Sequence, residues 1–176
     1  MNGPQSTLFG KNASAGVISV VTREPQFTFG GSVEASYGNF NAIVLKGDVT
    51  GPLTDNIAFS IDGSYNKRDG YATIVNLDEE QNNRDRWATR GQLLFEPTPD
   101  LRIRAIVDYS EIDEVCCQVA TLVSGPVTGA INAVGGQLST DFFGYEAFLN
   151  FVPTNEVKNY GGSVPVSYTH LRAHET

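Results

Sequence analysis

Little in this chain is equipped to hold a metal or attack a substrate. Its 176 residues include two histidines, two cysteines, one methionine and one tryptophan. His170 and His174 have the spacing of a helical zinc pair, but the glutamate that such a motif needs directly after its first histidine is replaced by Leu171. Cys116 and Cys117 are adjacent. Neighbouring Cα atoms lie about 3.8 Å apart, below the ~4.4 Å at which disulfides usually begin. They are therefore read as free or strained loop cysteines, with a redox or metal pair as the alternative. Gly10-Lys11 hints at a phosphate loop. Such a loop requires Gly six residues before the Lys and Ser or Thr after it, where this chain has Gln5 and Asn12. No nucleophile stands with its base, so neither an enzyme nor a cofactor is expected.

Basic residues are also few. Twelve Lys and Arg against twenty Asp and Glu give a net charge of −8, the wrong sign for a phosphate-binding surface, so nucleic acid is not an expected partner. No apolar run reaches the ~18 residues of a membrane helix. That excludes one way of crossing a bilayer and leaves the other open, because a barrel strand needs only about 9 to 11 residues and alternates.

Alternation is what the chain has in quantity. From Phe27 to Tyr37 the odd positions are Phe27, Phe29, Gly31, Val33, Ala35 and Tyr37, and the even ones carry Thr28, Ser32, Glu34 and Ser36, the period of two of a strand with one apolar face. The pattern returns with Ile43, Leu45 and Val49; with Ile57, Phe59, Ile61 and Tyr65; with Trp87, Leu93 and Phe95; and with Leu101, Ile103, Val107 and Tyr109. Gly51 to Asn56 and Pro97 to Asp100 read as tight turns. Residues of about 66–85 and 111–158 read as long loops, the second with a short helix over Val127 to Ala133.

A soluble β-sandwich also alternates, but three features favour a transmembrane barrel. Short and long connections take turns, as periplasmic turns and external loops do. Tyr37, Tyr65, Trp87 and Tyr109 fall near the long loops, while Phe27, Phe59 and Phe95 fall at the opposite ends, which predicts two interfacial girdles. Ten steps from Phe27 to Tyr37 at about 3.3 Å each make ~33 Å, or ~23 Å in depth at a tilt of about 45°, near the ~25 Å apolar band of such barrels. Glu34, Asp48, Asp62, Arg90, Arg102 and Arg104 then face a wet lumen.

Gly3-Pro4-Gln5-Ser6-Thr7-Leu8-Phe9-Gly10-Lys11-Asn12, followed by Gly16 and the apolar run Val17 to Val21, resembles the end of the plug domain in TonB-dependent outer-membrane receptors. The motif positions are Gly3, Pro4, Gln5, Leu8, Phe9, Gly10 and Gly16. The resemblance implies an all-β, antiparallel transmembrane barrel fragment, five to six strands of a large plugged barrel. Residues 1–25 end the plug and 26–165 form the first strands with their external loops. It further implies the Gram-negative outer membrane, contact with its lipid, and energised uptake of a ferric siderophore or similar large nutrient. A TonB-type partner drives that uptake in the full-length parent, through a contact motif that is expected to lie outside this chain. Loop residues Tyr71, Asp78, Glu79, Glu80, Glu111 and Asp113 are the expected ligand contacts. Residues 166–176 match a translated sequencing adapter and are expected to be a non-native tail. A passive porin and a secreted β-sandwich binding module are the rival readings.

Overall fold

The computed structural model of the chain describes residues 21–116, 125–139, 141 and 143–169. In chain order the strands are β1 (Gly30–Gly38), β2 (Ala42–Thr54), β3 (Ile57–Arg68), β4 (Ala72–Ile74), β5 (Glu79–Gln81), β6 (Arg84–Thr98) and β7 (Leu101–Val115). A helix, α1 (Pro126–Ala133), then precedes β8 (Glu146–Ala147), β9 (Thr154–Ser163) and β10 (Val166–Tyr168). The long strands form one antiparallel sheet in the order β1-β2-β3-β6-β7, with β9 and β10 both on the far edge of β7. β5, β4 and β8 make a second, small sheet.

The register sorts the alternating residues onto two faces. Val33 lies opposite Gly47, Leu45 opposite Tyr65, Ile61 opposite Gly91 and Val107 opposite Gly162, so these residues share the apolar face. Glu34 faces Lys46, Asp48 faces Asp62, and Arg90 lies between Asp62 and Asp108 on the polar one. β6 and β7 have 15 residues each, about 46 Å at ~3.3 Å per step and well beyond the five or six residues of an average strand.

A sandwich would cover one of these faces with a second sheet. Among the described residues nothing covers the apolar one: Val33 is 87% exposed and Val107 62%. The few buried apolar residues are Ala58 and Leu94 on the polar face of the main sheet and Ala72, Ile74 and Ala147 in the small one. The main sheet is open, with β1 at one edge and β9 and β10 at the other.

Three expectations need correction. β1 begins at Gly30, not at Phe27, because the chain leaves the polar face there: the Gln26 N–H donates to Thr50 Oγ1 at 2.8 Å, and a bend at Phe27 and Thr28 follows. The 66–85 loop holds the end of β3, the β4–β5 hairpin and the start of β6. The 111–158 loop likewise yields its ends to β7 and β9, so Glu111 and Asp113 lie in a strand. In both cases the ladder of hydrogen bonds runs past the point where hydrophobic alternation stops, since backbone pairing needs no apolar side chains.

The helix is found where it was expected. Pro126 occupies its first turn, where the missing N–H is no loss, and Gly135 follows at φ 81° in the left-handed region that glycine tolerates. Val166–Tyr168 of the tail continue the β9 register: Ser163 faces Ile106, Val166 faces Ile103. The ladder breaks between them because Pro165 accepts from the Arg104 N–H at 2.9 Å but has no N–H to return.

Candidate functional site

At one end of the main sheet three connections meet: 39–41, 69–83 and, of the third, the described residues 143–153. The third is joined to the second by β4, which pairs antiparallel with β5 and parallel with β8, placing Thr73 beside Glu146 and Ile74 beside Ala147. The Thr73 N–H donates to Tyr145 O at 2.8 Å and the Val75 N–H to Ala147 O at 2.9 Å. Asn76 extends this ladder with its side chain, donating from Nδ2 to Leu149 O at 2.6 Å and accepting the Leu149 N–H at Oδ1 at 3.0 Å. Ala72, Ile74 and Ala147 are buried beneath, so two loops distant in sequence share one core.

Tyr71 sits in an aromatic cluster at this end. Its ring centroid is 6.1 Å from that of Phe40 and 5.9 Å from that of Tyr145, the latter edge-on, and the Arg68 guanidinium lies 5.1 Å from its centre. Phe40 and Tyr145 adopt φ of 58° and 54°, a conformation that non-glycine residues adopt at some cost. Phe40 is held there by the Asp69 N–H, which donates to its carbonyl at 2.9 Å. The neighbouring Asn41 accepts from Tyr37 Oη at 2.9 Å and donates to Asp69 Oδ2 at 2.5 Å.

The acidic residues singled out in the sequence divide. Asp78, at φ 55° in the hairpin turn, Glu79, Glu80 and Asp113 line one cleft together with Arg68 and Arg84. Glu111 is elsewhere, on the apolar face opposite Trp87, where it accepts from Tyr109 Oη at 3.0 Å and meets Lys158 Nζ at 3.5 Å. Sequence reasoning passed over Phe40, Tyr145, Arg68 and Asn76. For Phe40 a signal existed, since Asn39 and Asn41 flank it and asparagine marks left-handed turns.

Between the cleft and the sheet, Glu114 is nearly fully buried and is gripped by Arg86, whose Nη2 donates to Oε2 at 2.8 Å while Nε donates to Oε1. That charge-assisted pair holds the Glu114 carboxyl below its ordinary value of 4.5, against an opposing push from burial. Glu114 lies in the part of β7 that projects past Tyr109, beyond the aromatic row.

On the apolar face, Tyr65 lies opposite Trp87, whose ring is 4.9 Å from that of Tyr109, and Tyr109 lies opposite Tyr160. Tyr37, on β1, is 74% exposed. Phe59 and Phe95 are at the other end. Phe29 packs there so closely over Gly51 that a side chain at 51 would meet its ring at 2.8 Å, and Phe27 lies outside the strand.

Residues 21–26 cross the polar face. Glu24 pairs with Arg102 at 2.9 Å and Arg104 at 3.1 Å, Gln92 Nε2 donates to Arg23 O at 3.1 Å, and Arg102 also pairs with Glu96 at 2.7 Å. The motif residues Gly3, Pro4, Gln5, Leu8, Phe9, Gly10 and Gly16 lie outside the described residues, as do His170, His174 and Cys117. Cys116 is disulfide-bonded, which overturns the reading of it as a free cysteine.

No family model matches the chain, and no solved structure does. Curated relatives do. The Ferrioxamine B receptor of Salmonella typhimurium is 41% identical over 56 residues, 32% of this chain and 8% of that protein. The Ferrioxamine receptor of Yersinia enterocolitica is 30% identical over 97 residues, 55% of this chain and 13% of that one. The Iron-regulated outer membrane virulence protein of Vibrio cholerae is 35% identical over 80 residues, covering 39% and 12% respectively. The matches thus span only about a tenth of each relative's length. Receptors recur among these names and one of them places its protein in the outer membrane; over these stretches the chain is similar to them, in the direction that the resemblance to TonB-dependent receptors implies.

Proposed function

We propose that the main sheet is part of the wall of a plugged transmembrane barrel and that the parent receptor takes up a ferric siderophore or similar large nutrient, driven by a TonB-type partner. The observation that carries this reading is the pairing of two unlike faces. An uncovered apolar face bounded by Tyr and Trp at one end and Phe at the other suits lipid and its two interfaces. A polar face bridged by Glu24, Arg102 and Arg104 suits a wet lumen against a plug. Residues 1–25 are then the end of that plug, 26–165 the wall with its external loops, and 166–176 an adapter-derived tail. The strand edges left open here pair with the rest of the barrel, because hydrocarbon does not tolerate bare N–H and C=O groups. The external loops make the ligand contacts, Tyr71 and the acidic residues of the cleft lined by Asp78, Glu79, Glu80 and Asp113 among them.

The test is uptake of iron-55-loaded hydroxamate and catecholate chelates by cells whose only iron receptor is the full-length parent. Saturable uptake that collapses when the TonB protein is deleted is expected. Unsaturable entry that is indifferent to TonB refutes the reading and favours a porin.

A further inference from the structure

Trp87, Tyr109 and Tyr160 lie side by side on the apolar face, on the adjacent strands β6, β7 and β9. The Trp87 and Tyr109 ring centroids are 4.9 Å apart with their planes tilted by 32°, and Tyr109 stands directly opposite Tyr160 in the β7–β9 ladder. Opposite residues of an antiparallel pair hold their Cβ atoms about 4.5 to 5.5 Å apart, within reach of large side chains. The Tyr109 hydroxyl donates to Glu111 Oε2 at 3.0 Å, and Lys158 Nζ, 3.5 Å from the other Glu111 oxygen, keeps that carboxylate in place. Tyr37, by contrast, donates to the side-chain amide oxygen of Asn41, a far weaker base. Tyr160 is 83% exposed, so its ring has room to turn toward Tyr109.

We infer that Tyr109 and Tyr160 form an oxidative cross-linking site, at which a one-electron oxidant joins the two rings as dityrosine. Tyr109 reacts first. An electron passes from its ring to the oxidant, directly or by way of Trp87, while the phenolic proton crosses the existing hydrogen bond to Glu111. The carboxylate is the base for that step and spares the ring a cationic intermediate. Tyr160 then gives an electron to a second equivalent of oxidant and its proton to water. The two phenoxyl radicals couple between ortho carbons, and the hydrogens on those carbons move to the phenolic oxygens, so two electrons and two protons leave in all. β7 and β9 are separated in the chain by α1 and β8, so the new carbon–carbon bond staples together two strands distant in sequence. The inference stands on ring and register geometry and is independent of what the parent takes up.

The test uses the full-length parent in outer-membrane vesicles, with light, tris(bipyridyl)ruthenium and persulfate supplying the one-electron oxidant. Peptide mass spectrometry should find the segments holding Tyr109 and Tyr160 joined with the loss of two hydrogens, together with blue dityrosine fluorescence. Glu111→Gln keeps a hydrogen-bond acceptor but removes the base, and should slow the cross-link about tenfold or more. Tyr160→Phe should abolish it, and Tyr65→Phe, on β3 away from β9, should leave it unchanged. Cross-links among other tyrosines with none between Tyr109 and Tyr160, or a rate indifferent to Glu111→Gln, overturn the proposal. The wild-type map alone refutes it if that pair is absent, whatever Glu111→Gln does to folding.

Discussion

Replacing Ile61 by Arg separates a lipid-facing sheet from a water-facing one. Ile61 is midway along the apolar face: four residues toward the loop end lies Tyr65, opposite Trp87, and four toward the other end lies Ile57, opposite Phe95. Four steps of about 3.3 Å put either aromatic row ~13 Å away along the strand, or ~9 Å in depth at a tilt of about 45°. An arginine there is near the bilayer midplane, where lipid-face Arg or Lys costs about 2 to 4 kcal/mol. Ile61 is 52% exposed in the chain as it stands. In water the same change would remain within about 0.5 kcal/mol, as surface substitutions do. Ser64→Arg is the internal control, three residues away on the opposite face between Lys46 and Ala88. The assay is urea unfolding of the full-length parent refolded into phospholipid vesicles. Ile61→Arg should shift the folded-to-unfolded ratio by about thirtyfold or more, and Ser64→Arg should leave it nearly unchanged. Equal effects of the two substitutions would refute the assignment of faces to lipid and lumen.

Asn76→Ala removes both hydrogen bonds to Leu149 and should cost about 1 to 2 kcal/mol locally. Hydrogen exchange reads this as faster exchange at Thr73, Val75 and Leu149 with β2 and β3 unaffected; a uniform change across the main sheet would contradict the separate core of the small one. The Arg86–Glu114 pair predicts a dependence on acid. Because the folded carboxyl titrates below its ordinary 4.5, its stabilisation is present above that value and is lost as pH falls through the folded one. Glu114→Gln should therefore flatten the decline in melting temperature of the parent below about pH 4.5, and an unchanged decline assigns that loss to other groups. Residues 1–165 expressed alone should be insoluble or chaperone-bound and give no heat-modifiable band after refolding in detergent. Open strand edges and an uncovered apolar face template aggregation, so a soluble, β-rich monomer would restore the sandwich.

Much of the main sheet was legible because its physics is local. A strand that separates two environments must alternate, and β2, β3, β6 and β7 do so over enough residues for the period to declare itself. The turn chemistry of Gly51 to Asn56 and Pro97 to Asp100 located two reversals, although Gly51–Thr54 and Pro97-Thr98 prove to be strand and only Asp55-Asn56 and Pro99-Asp100 turn, and the helix expected over Val127 to Ala133 starts one residue earlier at Pro126. The ends were less legible. β7 continues through Glu111 and Asp113, where charge says loop but the ladders with β6 and β9 persist. β4, β5 and β8 are two or three residues long, too short for a period, and exist only because the sequence-distant residues 72–76 and 145–149 meet. The same distance hid the aromatic cluster: Tyr71 carries a signal alone, but its partners Phe40 and Tyr145 come from other connections.

The attachments of residues 21–26 to the polar face have a mechanical consequence. They are spread along the segment in series: Arg23 O to Gln92, then Glu24 to Arg102 and Arg104, then the Gln26 N–H to Thr50. Tension applied from the N-terminal side reaches them one after another, so they part by peeling and the peak force is set by the strongest single link rather than by their sum. The strongest candidate is the doubly paired Glu24, whose carboxylate is 41% exposed, and part-exposed ion pairs of that kind contribute about 1 kcal/mol or less. Such a segment holds its place at rest yet yields to a small, sustained pull.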